Sequence, residues 1–68
     1  MYRFETSTAS VGEADRIART FYRFLERQAP PPDCDAYMCT AREAQGHLVQ
    51  VRLWSADALA EFRAQLAS

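Results

Sequence analysis

One stretch, Gly46 to Leu66 (GHLVQVRLWSADALAEFRAQL), constrains the fold more than any other. Val49, Val51 and Leu53 recur at every second position, the period of a strand with one buried face. Leu48, Gln50, Arg52 and Trp54 fall on the opposite face. Ser55 is placed to cap a helix, and Asp57 stands in its first turn, where the helix dipole favours negative charge. Leu59, Phe62 and Leu66 then follow at helical spacing. A strand, a tight hinge and an amphipathic helix must therefore share one apolar layer.

A chain of 68 residues is expected to form a single domain, 1–68, around one small core. At this size roughly 60% of the unfolded chain's surface is buried, so stability is marginal without help from a metal, a disulfide or a partner chain. Hydrophobic residues make up 49% of the sequence, too many for a disordered segment. The formal net charge of −1 argues against nucleic acid as a partner, because phosphate-backbone binding needs a basic excess. No apolar run approaches the ~20 residues of a membrane span. Strand-like alternation at Tyr2-Arg3-Phe4-Glu5 leaves no room for a signal peptide before the fold, and the expectation is a cytoplasmic protein.

Taken in order, residues 1–6 read as a strand with Tyr2, Phe4 and Thr6 on one face. Ser10-Val11-Gly12-Glu13 has the form of a capping box. The helix after it should run to about Gln28, burying Ile17, Phe21, Phe24 and Leu25. Arg16, Arg19, Arg23 and Arg27 populate its wet face, with Asp15 and Arg19 spaced as an ion pair. Pro30-Pro31-Pro32 ends the helix, since none of the three donates a backbone hydrogen bond. A second strand is expected from about Ala36 to Glu43. Ala44-Gln45-Gly46 fits a three-residue hairpin loop with Gly46 left-handed, because a two-residue turn would ask for positive φ at its first central position. That loop length sends Tyr37, Cys39 and Ala41 into the core and Met38, Thr40 and Arg42 to the open face. The fold class is thus α+β in the order β-α-β-β-α, a ferredoxin-like arrangement minus its last strand. Both helices cover one face of a three-stranded sheet, with the third strand in the middle.

No catalytic motif stands out, and no catalytic residue is assigned. Cys34, Cys39 and His47 match no common zinc spacing, so neither a metal nor another cofactor is expected. His47 reads as an exposed turn residue. The open sheet face asks for more explanation. Met38, Thr40, Leu48, Gln50, Arg52 and Trp54 would share it, an unusual set to leave in water. Either Trp54 folds back under Ala58 or against the sheet edge, or the face meets a ligand or a second sheet, most simply in a C2 homodimer.

Several of these features resemble the antibiotic-biosynthesis-monooxygenase type of dimeric α+β barrel. They are the early strand, Val11-Gly12-Glu13-Ala14 opening a helix with Phe21, Phe24 and Leu25, the proline loop, the hairpin, and Val51-Arg52-Leu53-Trp54-Ser55-Ala56-Asp57-Ala58-Leu59. The resemblance implies a homodimer in which two sheets enclose a cavity for an aromatic small molecule. In some members that molecule is oxidised without metal or flavin. It would line this cavity with Met38, Thr40, Gln50, Arg52 and Trp54, Arg52 holding a substrate anion and Trp54 stacking on the ring. The alternative is a non-enzymatic protein–protein interaction module, an inhibitor or accessory subunit that works through its open face, an edge strand or the arginine face.

Overall fold

A computed structural model describes residues 2–67. It contains β1 (Tyr2–Thr8), α1 (Val11–Arg27), β2 (Tyr37–Glu43), β3 (Gly46–Leu53) and α2 (Ala56–Ala67). The order is β-α-β-β-α, an α+β fold. Met1, assigned to the first strand from the sequence, lies outside the described residues. The sheet order is β1-β3-β2, and both outer strands run antiparallel to the central β3.

β3 occupies the middle because it carries the only fully apolar alternation. Val49, Val51 and Leu53 are completely buried, and each removes apolar area that would otherwise face water. α1 covers this row with Ile17, Phe21 and Phe24, and α2 with Ala58 and Phe62. Phe62 is the meeting point, with its ring edge-on to Phe4, Phe21 and Phe24 at centroid distances of 6.0, 6.1 and 5.9 Å. Both helices therefore lie on one side of the sheet and leave the other side bare.

The caps follow the sequence with one exception. Ser10 Oγ accepts from the Glu13 amide at 3.2 Å, and Ser55 Oγ from the Ala58 amide at 3.0 Å. The reciprocal half of the Ser10 capping box does not form. Thr8 Oγ1 already accepts from the Ser10 amide at 3.1 Å, and the Glu13 carboxylate turns to Arg16, which it meets at 2.6 Å. A charged guanidinium is the stronger donor. Beside it the Glu13 carboxyl is held below its usual range.

The hairpin corrects the expected register. Glu43 pairs with Gly46, so only Ala44 and Gln45 remain in the loop. No non-glycine residue among those described has positive φ; Gly46 alone takes it, at 155°. The unusual backbone angle is moved from the turn to the first residue of β3, where no Cβ opposes it. One residue of slip inverts every β2 side chain. Met38 now pairs with Val51, and Thr40 with Val49, on the helix side, while Tyr37, Cys39 and Ala41 face the bare side. The inward turn of Thr40 and Arg42 costs little, because the helix layer stops short of this margin and both remain exposed.

Trp54 is the second correction. The strand ends at Leu53 and the chain bends before Ser55, so alternation no longer dictates the direction of residue 54. Its ring sits 5.9 Å from that of Phe24, tilted by 34°. Trp54 is therefore a half-buried flank of the core and not part of the bare face.

Candidate functional site

The register lays the bare face out in cross-strand rows. Arg3, Arg52 and Tyr37 form one, Glu5, Gln50 and Cys39 the next, and Ser7, Leu48 and Ala41 the third. Of the six residues expected here, Arg52, Gln50 and Leu48 are present. Met38, Thr40 and Trp54 are not, for the reasons of register and chain bend given above. Arg3 and Glu5 share the face. Tyr37 and Cys39 are the additions that sequence reasoning missed; a two-residue loop at Ala44-Gln45 turns both to this face.

A chain of polar contacts crosses the middle of the face. Gln50 Nε2 donates to Glu5 Oε1 at 2.5 Å, and the Cys39 thiol donates to Gln50 Oε1 at 3.3 Å. Arg3 Nε lies 4.0 Å from Glu5 Oε1. The Arg52 guanidinium stands 5.8 Å from the centre of the Tyr37 ring, within cation–π range. The neighbouring Cys39 sulfur, negative once ionised, pushes the Tyr37 hydroxyl above its ordinary value, while the Arg52 guanidinium pulls the other way. At the hairpin end Ser7 Oγ donates to Glu43 at 3.5 Å. Stacking a second surface here would strip water from groups already paired with one another.

Both cysteines are free thiols, Cys34 exposed and Cys39 half-buried. Labelling without denaturant should modify Cys34 first and Cys39 more slowly but measurably. Complete protection of Cys39 would mean that its side chain points into the core after all. Among the described residues no cluster of three His, Cys, Asp or Glu side chains could hold a metal ion. His47 is not a turn residue: it sits within β3, between Thr8 of β1 and Arg42 of β2.

Two further surfaces frame the sheet. The outer edge of β1 has no strand beside it among the described residues. A cleft of about 340 Å³ runs along this edge, lined by Phe4, Thr6, Ile17, Arg63 and Leu66 among others. The Arg63 guanidinium lies 5.9 Å over the Phe4 ring. A groove of about 360 Å³ lies between the helices, walled by Arg16, Thr20, Arg23, Arg27 and Gln65. None of the described helices is long and apolar enough to cross a membrane. No family model, curated protein or solved structure matches the chain.

Proposed function

We propose that the protein is a non-enzymatic interaction module that forms a homodimer through the free edge of β1. The observation that carries this reading is the self-complementarity of that strand. An edge strand presents a row of backbone donors and acceptors that a second strand can satisfy. β1 has seven residues, YRFETST, with no proline or lysine to discourage pairing. Antiparallel pairing about a dyad at Phe4 sets Arg3 opposite Glu5 of the second copy, twice, on the bare side. On the helix side Phe4 meets its own symmetry mate and Tyr2 meets Thr6. Opposite charges and aromatic pairs are the favoured cross-strand neighbours. A dyad at Glu5 would instead set two carboxylates face to face.

The flank of α2 supports the same contact. On a helical wheel Leu59, Leu66 and Arg63 lie on the side of α2 turned toward the β1 edge, away from Gln65. In the dimer the two copies of α2 would become neighbours, and the cleft beside Phe4 would close. The bare face gives less support to an aromatic-ligand cavity. Trp54, the intended stacking residue, is engaged with Phe24, and Gln50 is spoken for by Glu5 and Cys39.

Sedimentation at micromolar concentration tests the reading. The wild-type chain should be dimeric. Arg3→Glu should weaken the dimer by roughly tenfold or more, since two attractive pairs become repulsive. The double exchange Arg3→Glu with Glu5→Arg should restore it. Both positions are exposed, and thermal melts would verify that folding survives. A monomeric wild type, or a double variant no better than the single one, would refute the edge dimer.

A further inference from the structure

We propose that the groove between α1 and α2 binds the phosphate group of a small molecule through Arg23 and Arg27. The site lies on the outer side of the helix layer and is independent of the β1 edge. Residues 16, 20, 23 and 27 of α1 fall within about 60° of one another around the helix axis, a nearly straight stripe about three turns long. Three of the four are arginines, and all four line the groove.

Two residues of the stripe are already committed. Arg16 donates to both Glu13 carboxylate oxygens, at 3.0 and 2.6 Å, and to the Leu66 carbonyl near the end of α2 at 2.7 Å. It thereby fixes one end of the groove and ties the two helices together. Thr20 donates its hydroxyl to the Arg16 carbonyl at 2.8 Å. Arg19, one position off the stripe, is 3.8 Å from Asp15. Arg23 and Arg27 differ from these. Among the described residues neither makes a hydrogen bond or ion pair.

Arg23 and Arg27 are one helical turn apart, and two like charges at that spacing repel. An anion held between them removes the repulsion and uses both donor forks. Guanidinium forks match the oxygens of phosphate in paired hydrogen bonds. A phosphomonoester carries nearly two negative charges and three acceptor oxygens, enough to serve both arginines, whereas a single carboxylate serves one well. The groove's volume of about 360 Å³ is at the small end of ligand sites. It suits a sugar phosphate or a diphosphate better than an extended acidic peptide.

Arginine side-chain NMR during titration with inorganic pyrophosphate, with ionic strength held constant by sodium chloride, would test the site. Saturable shifts at the Nε–H groups of Arg23 and Arg27 are expected, with little change at Arg19. Arg23→Gln or Arg27→Gln should weaken binding roughly tenfold, whereas Arg19→Gln should not. Thermal melts would confirm that each variant is folded. Shifts reproduced by sodium chloride alone, or equal losses from Arg19→Gln, would overturn the proposal. So would a glutamate hexapeptide that bound as tightly as pyrophosphate.

Discussion

Phe62→Ala is expected to remove about 3–5 kcal/mol of stability and leave much of the protein unfolded at room temperature. Phe62 is fully buried and touches an aromatic ring from β1 and two from α1. Truncating it deletes three edge-to-face contacts and opens a cavity where the sheet and both helices converge. Small domains hold only about 5 kcal/mol or less in total, so the loss is of the order of the whole. Tyr22→Ala is the useful contrast. Tyr22 is 58% exposed, and its loss should cost about 1 kcal/mol or less. Urea denaturation followed by circular dichroism would measure both. A Phe62→Ala loss below about 1 kcal/mol would mean that Phe62 is not the junction of the three layers.

Most of the core was legible because its periodicities were redundant. Ile17, Phe21 and Phe24 repeat at helical spacing, Val49, Val51 and Leu53 at strand spacing, and each set has no other apolar layer to meet. β3 also had its parity fixed by its own residues, which is why Arg52, Gln50 and Leu48 were placed on the correct face. β2 has no such anchor. Tyr37-Met38-Cys39-Thr40-Ala41 offers an apolar residue on either parity, so its facing depended wholly on the loop length. Trp54 failed for a different reason: strand alternation was extended one residue past the point where the chain bends. Half of the capping box was lost to a competing ion pair, a contest that spacing alone does not decide.

The candidate surfaces divide in the same way. β1 was legible as a strand, and its position at an edge followed from placing β3 in the centre. The self-complementarity about Phe4 matters only because no described strand occupies that edge. The arginine stripe of α1 was visible as a charged face, but its parts looked equivalent. Packing against α2 separates them. Arg16 is consumed as a strut between the helices and Arg19 is paired with Asp15, which leaves Arg23 and Arg27 as the pair with unused donors among the described residues. Which charges remain available is a property of the tertiary neighbours, and helical spacing does not contain it.

Alanine at the two glycines should act in opposite directions, and the pair tests the hairpin register. Gly12 lies in the first turns of α1, where an added Cβ would meet only Ser10 Oγ at 3.5 Å, an ordinary contact. Gly12→Ala should stabilise the protein by about 0.5–1 kcal/mol, the usual difference between the two residues in a helix. Gly46 has φ of 155°, and a Cβ there would collide with the Thr8 carbonyl oxygen and approach the Ala9 Cα to 3.0 Å. All of these are backbone atoms, so no side-chain rotation relieves the clash. Strained backbone angles alone cost about 1–3 kcal/mol, and the end of β1 must also move away from His47, its partner across the sheet. Gly46→Ala should therefore be strongly destabilising. Survivors of the substitution should show lost amide protection at the Thr8–His47 end of the sheet. Hydrogen exchange read by NMR would report this directly. Unchanged stability with a protected Thr8–His47 end would mean that residue 46 is relaxed, and the two-residue hairpin that places Tyr37 and Cys39 on the bare face would have to be abandoned.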